Sequence, residues 1–312
     1  MPGKKTKFTI DILIMAFLIV LNFFFLPTFG FWSVYDRSPK LIYSQSTQNL
    51  LSYQHPPLPQ LTSKRTPNLL APYYILIDND TNTVLLSRQE NERIFPASIT
   101  KLATALTALN VYPLDEIITI KEEYGEGKIM ELQVGEKITV RSLVTSILVY
   151  SANDAAFTLA SHHPNGLQGF IDQMNLLVKK YNLTSTHFTN FDGIHDGNHY
   201  STVYELAQLG RISIKNPVVR EVVKTKSVVV SDVSRNTEHN LTSTNELLDI
   251  VPEIEGLKTG WTPEAGGCII GLLNIDGHQL VSVVAQSEDR FGDTLKLVNW
   301  AKDNLTWTTY GQ

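Results

Sequence analysis

The chain has 312 residues, 43% of them hydrophobic, so residues 73–312 alone can bury a sizeable core as one domain. A formal net charge of −5 removes the electrostatic case for nucleic acid as a partner. A single cysteine, Cys268, excludes an intramolecular disulfide framework and a thiolate metal cluster, and reads as a small buried strand residue.

Lys4, Lys5 and Lys7 precede an apolar run from Ile12 to Trp32. Such a run suits one helical crossing of a hydrocarbon layer about 30 Å thick. Positive charge ahead of it predicts a cytoplasmic N-terminus and export of everything that follows. Phe29-Gly-Phe-Trp32 is bulky where a cleaved signal peptide needs small residues, which favours a retained signal anchor. Residues 1–32 are therefore predicted to be a stub and transmembrane anchor. Residues 33–72, rich in Gln, Ser and Pro around Pro56-Pro57-Leu58-Pro59, are predicted to be a linker.

The folded part is predicted to span 73–312. Tyr73–Asp78 and Thr83–Ser87 flank polar turn residues and predict a hairpin. Pro96 opens a helix that ends before Pro113. Short β segments follow at Ile117–Ile120, Lys128–Met130 and Lys137–Val140. Helical periodicity then runs through Ser142–Tyr150, Asp154–His162, Leu167–Tyr181 and Val203–Ile214. Strands return at Thr225–Val230, Gly256–Thr259, Gly267–Leu273 and Gln279–Ala285, before a last helix from Asp289 to Leu305. Strands at both ends with helices between predict an α+β fold, in which N- and C-terminal segments share one antiparallel sheet beside a helical region.

Three short words carry chemistry: Ser98-Ile-Thr-Lys101, Ser151-Ala-Asn153 and Lys258-Thr-Gly260. At i and i+3 of a helix, Ser98 and Lys101 are neighbours, and a serine hydroxyl needs a base to become a nucleophile. Lys101 serves only when neutral, so its reference pKa of about 10.4 must fall, through burial and a nearby cation such as Lys258. Ser151 stands where it can relay a proton to a leaving group, and Asn153 where it either orients an amide or caps the next helix. Lys258 and Thr259 suit a carboxylate-ended substrate, and Gly260 lets a backbone approach closely. The N–H groups of Ser98 and Trp261 form a candidate oxyanion hole. His195 and His199 are four apart, but Asp196-Gly197-Asn198 between them reads as a turn, so no metal site is predicted.

The longer strings Phe95-Pro-Ala-Ser-Ile-Thr-Lys101, Ser151-Ala-Asn-Asp-Ala155, His199-Tyr-Ser-Thr202 and Gly256-Leu-Lys-Thr-Gly-Trp-Thr-Pro-Glu-Ala-Gly266 resemble the D-alanyl-D-alanine carboxypeptidases, low-molecular-mass penicillin-binding proteins. The resemblance runs from about Tyr73 to Leu305. It implies a β-lactamase/transpeptidase-like fold and a serine enzyme without cofactor. Ser98 would release the terminal D-Ala of peptidoglycan stem peptides, and β-lactams would acylate the same residue. The resemblance also assigns Arg290 to the substrate's terminal carboxylate. With the N-terminal span, it implies a single-pass protein of the bacterial cytoplasmic membrane, its catalytic domain outside.

Two departures accompany it. Better-studied members often add a C-terminal β-domain and an amphipathic anchor, whose place the N-terminal span would take. The family's Asn-Pro-x-Gly is here Asn190-Phe-Asp-Gly193. No Glu between Ser151 and Lys258 has Asn four positions on, against a class A β-lactamase. A D,D-endopeptidase, or a β-lactam-binding sensor or scaffold without turnover, stays open.

Overall fold

The computed structural model describes residues 56–63 and 65–309. The predicted anchor and residues 33–55 of the predicted linker lie outside them. Among the described residues, no helix is long and apolar enough to cross a membrane.

Five strands form the central antiparallel sheet: β2 (Tyr73–Asp78), β3 (Val84–Arg88), β8 (Ile254–Thr262), β9 (Gly266–Ile275) and β10 (His278–Ser287), in the order β3-β2-β10-β9-β8. The N-terminal hairpin joins the C-terminal strands through β2 and β10, where Ile77 faces Val281 and Ile75 faces Val283. Alternation sorts the side chains. Ile75, Ile77, Ile270, Leu272, Val281 and Val283 enter the core on one face. Tyr74, Leu76, Ile269, Leu273, Leu280 and Val284 enter a second core on the other. Both faces are buried, so these strands read as near-continuous apolar runs. A fully buried aliphatic side chain of this kind contributes about 1.5–3 kcal/mol before entropic costs.

The first core is closed by the helical region: α1 (Lys101–Val111), α2 (Val140–Val149), α3 (Asn153–Ser161), α4 (Gly166–Lys180) and α5 (Val203–Ser213), of which α5 packs directly on β2, β9 and β10. Two small hairpins flank it, β4 (Ile117–Thr119) with β5 (Lys137–Thr139), and β6 (Ser227–Ser231) with β7 (Glu238–Thr242). Short helices α6 (Pro217–Val222) and α7 (Leu247–Ile250) punctuate the return to the sheet. The second core is closed by α8 (Arg290–Asn304).

Four expectations change. The compact unit begins at Pro56, not at 73. Within the predicted linker, β1 (Leu58–Leu61) pairs with β11 (Leu305–Thr308), and Pro59 is tolerated because a two-stranded ribbon is all edge. Residues 65–71 then pack down: Leu69 and Ala71 are buried, and Asp293 accepts the N–H groups of Leu70 and Ala71 at 2.9 and 2.8 Å. Lys128–Met130 is not a strand, because the Met130 N–H is taken by the Asp154 carboxylate. The last helix stops at Asn304, and Leu305 starts β11. Finally, Ser98 lies not in an α-helix but in a 3-10 turn, Ala97–Thr100, which leads into α1.

Candidate active site

The turn at 97–100 is held from several sides. Ala97 has φ +49°, an uncommon conformation for a residue with a Cβ. The Thr100 hydroxyl donates to the Ala97 carbonyl at 2.8 Å and lies 2.7 Å from His199 Nε2. The Thr189 N–H donates to His199 Nδ1 at 3.1 Å, so Nε2 carries the proton and donates to Thr100. Burial pushes the His199 pKa down to about 3, which fixes this neutral tautomer. The His-Tyr-Ser-Thr string is therefore a brace under the Ser98 turn. Among the described residues, no group of three or more His, Cys, Asp or Glu side chains could hold a metal ion.

Lys101 opens α1 fully buried, with Nζ 3.1 Å from Ser98 Oγ and 2.7 Å from the Asp192 carbonyl oxygen, to which it donates. Burial lowers its pKa to about 8, against the opposing pull of Asp192 and Asp154. A neutral amine within reach of the hydroxyl is the arrangement that activates a serine without histidine.

Lys258-Thr-Gly260 lies on β8, an edge strand of the central sheet whose Leu257–Gly260 stretch is buried directly against the Ser98 turn. A Cβ built on Gly260 would stand 2.9 Å from the Ser98 nitrogen, so only glycine allows this contact. Lys258 is buried and donates to the Thr259 carbonyl at 3.0 Å. Its pKa is driven well down, by burial first and then by the charges of Lys101, Lys128 and Arg290. Thr259 Oγ1 donates to Thr244 Oγ1 at 2.6 Å. Trp261, next in line, is 61% exposed. Arg290, at the start of α8, reaches the Gly260 carbonyl with Nη1 at 3.5 Å, while its Nε is buried without a partner.

Ser151 follows α2 with φ +70° and is nearly buried. Asn153 is the first residue of α3 and not its cap, a place taken by Ala152. Its side-chain amide donates to the Glu126 carbonyl at 2.9 Å and its N–H to the Lys128 carbonyl at 2.7 Å. Gly127 fits this contact because it lacks a Cβ, which would lie 2.4 Å from Asn153 Nδ2. Asn153 thus ties the 124–132 loop to α3. Asp154 adds to the tie by accepting from Met130, Leu132 and Ala155 N–H groups.

Several residues that shape this centre carry no sequence signal of their own. Asp192 contributes a backbone carbonyl, Tyr124 belongs to no motif, and Thr100, though inside the Ser98-Ile-Thr-Lys101 word, was given no role. Gly193 was visible only as the last residue of the departing Asn190-Phe-Asp-Gly193 string. Cys268 sits buried opposite Gly260 on β9, and burial pushes its pKa up to about 11, so it packs and stays inert.

The profile of the D-alanyl-D-alanine carboxypeptidase family matches residues 60–289, most of the chain. The chain belongs to this family. A D-alanyl-D-alanine carboxypeptidase of Streptomyces sp. strain K15 is 31% identical over 260 residues, covering 77% of this chain and 89% of the relative. The crystal structure of the Streptomyces K15 DD-transpeptidase superposes with a TM-score of 0.72 at 30% identity, covering 76% of this chain and 98% of that one. A D-alanyl-D-alanine endopeptidase of Pseudomonas aeruginosa is 30% identical over 234 residues, covering 72% and 75%. The carboxypeptidase family is one of serine peptidases, and the antiparallel sheet with its helical region is the β-lactamase-like fold expected.

Proposed function

We propose that this protein is a penicillin-binding serine D,D-carboxypeptidase that removes the terminal D-Ala from peptidoglycan stem pentapeptides. One observation carries the reading: a buried amine, its pKa lowered to about 8, 3.1 Å from the Ser98 hydroxyl. Neutral Lys101 takes the Ser98 proton as Oγ attacks the carbonyl of the penultimate D-Ala. The N–H groups of Ser98 and Trp261 receive the developing oxyanion, each such donor being worth about 3 kcal/mol in the transition state. Ser151 passes a proton to the departing D-Ala nitrogen, and Asn153 orients the acyl chain's amide. Lys258, Thr259 and Arg290 hold the terminal carboxylate. Water then hydrolyses the acyl-enzyme, and a β-lactam stalls at that stage.

The test incubates the protein with a stem pentapeptide and, separately, with a cross-linked dimer. Free D-Ala from the pentapeptide is expected, and S98A abolishes both turnover and covalent penicillin labelling. Labelling that survives S98A means the nucleophile is misassigned. Cleavage of the dimer alone moves the reading to an endopeptidase, the activity named for the Pseudomonas relative. Labelling without any product identifies a sensor or scaffold.

The lysines at 4, 5 and 7 and the apolar run Ile12–Trp32 support a single-pass anchor in a bacterial cytoplasmic membrane, with the enzyme outside. Alkaline extraction of membranes tests this. An anchored chain stays in the pellet, and release into the wash counts against it.

A further inference from the structure

The 190–194 loop is locked by its own hydrogen bonds: Asn190 Oδ1 accepts from the Gly193 N–H, and Asn190 Nδ2 donates to the Ile194 carbonyl, both at 2.8 Å. This rigid loop presents Asp192 to the catalytic centre in two ways. Its carbonyl holds Lys101 Nζ at 2.7 Å, and its buried carboxylate accepts the Tyr124 hydroxyl at 2.7 Å and the Ile194 N–H at 3.2 Å. Tyr124 is itself fixed, stacked on Phe157 at 4.8 Å and edge-on to Phe191 at 5.8 Å. Burial and the bond to Asp192 raise the phenol's pKa, so it stays a donor.

We propose that Asp192 is a positioning residue for the serine reaction: its carboxylate, pinned by Tyr124, sets the charge and placement of the Lys101 amine that serves Ser98. This rests on the serine-peptidase reading above. The groups that bear on Lys101 are few. The turn contributes Ser98, the loop Asp192, α3 Asp154, and β8 Lys258; His199 beneath is neutral. Asp154 is committed to three backbone N–H groups of the 130–132 loop and of α3. Two buried carboxylates therefore bear on Lys101, Asp192 the more strongly, while Lys258 is influenced by the cations around it.

Without that charge, Lys101 loses its proton at lower pH, but the free amine is a weaker base towards the Ser98 hydroxyl. A positioning role through charge thus predicts opposite changes in the two parts of a pH profile. A purely structural role predicts neither.

The experiment measures second-order benzylpenicillin acylation from pH 5 to 10 for wild type, D192N and Y124F, with S98A as control. D192N keeps an acceptor for Tyr124 and leaves the backbone carbonyl in place. Its acid limb is expected about one pH unit lower, with a plateau several-fold slower. Y124F retains the carboxylate and should keep the wild-type midpoint with a reduced plateau. Thermal melts establish that both variants fold. A folded D192N with the wild-type midpoint overturns this proposal alone. Labelling of S98A overturns the serine reading, and this proposal with it.

Discussion

Gly193 rests on the backbone of Ala97: a Cβ built there would lie 1.9 Å from the Ala97 carbonyl oxygen and 2.9 Å from the Ser98 nitrogen. With φ +86°, the position is also left-handed. Any side chain at 193 must move either the 190–194 loop or the turn that carries Ser98. G193A is therefore expected to lose about 3 kcal/mol or more of stability, and penicillin labelling with it. Chemical denaturation and a labelling time course check this. A G193A protein acylated at the wild-type rate would show that the contact is dispensable.

Acylation should rise with pH through about 8, because Lys101 acts as a base only after losing its proton and burial has lowered its pKa to that value. Below pH 7 the rate is expected to fall about tenfold per unit. K101R keeps a permanent charge and cannot deprotonate, so it should acylate at least about a thousandfold more slowly. Stopped-flow acylation across pH measures both, and a flat profile between 6 and 9 argues against the lysine base.

Acid should weaken the fold through His199. Its native pKa is pushed down to about 3 by burial, from the 6.5 of an ordinary imidazole. Between those values the unfolded chain binds a proton that the native state does not. Stability is thus present above about 6.5 and lost as pH falls towards 3, by up to about 1.4 kcal/mol per unit from this group. Denaturant titrations at stepped pH should show a shallower acid slope in H199Q, where a neutral amide can still meet Thr100 and Thr189. Equal slopes in the two proteins count against the assignment.

His239 on β7 places Nε2 2.8 Å from Glu136 Oε1 and Nδ1 2.8 Å from the Met130 carbonyl, all nearly out of solvent. Removing one partner strands the other. H239L is expected to cost about 3–5 kcal/mol, and the double variant H239L/E136L to recover much of it. Urea midpoints of the four members of the cycle give the coupling directly. If they add, with no recovery in the double variant, the pair is not coupled.

Legibility followed the physical origin of each element. The strands β2, β9 and β10 announce themselves through apolar runs bounded by turn residues, such as Asp276-Gly277, and the long helices through period and caps. Ser98, Lys101 and Lys258 were readable because chemistry demands those side chains. The strand β1 was not, since its pairing partner lies more than 240 residues away and its Pro-rich composition mimics a tether. The Ser98 turn is flanked at close range by Gly193 and Gly260, a long-range packing that no local pattern encodes. Asp192 touches Lys101 through a carbonyl that every residue possesses. Lys128–Met130 has strand composition, but the Asp154 carboxylate claims the donor that a ladder would need.

The pairing of β2 with β10 has a consequence for synthesis. A ribosome delivers residues 73–78 about two hundred residues before their partner at 278–287, and β9 reaches β2 only through that partner. Until the last part of the chain is out, one edge of the N-terminal hairpin stays bare, a template for wrong pairing. Ser98 and Lys258 cannot be brought together by partial folding of either end, so activity should appear all at once and late. Contacts this distant along the chain also place it among slow folders.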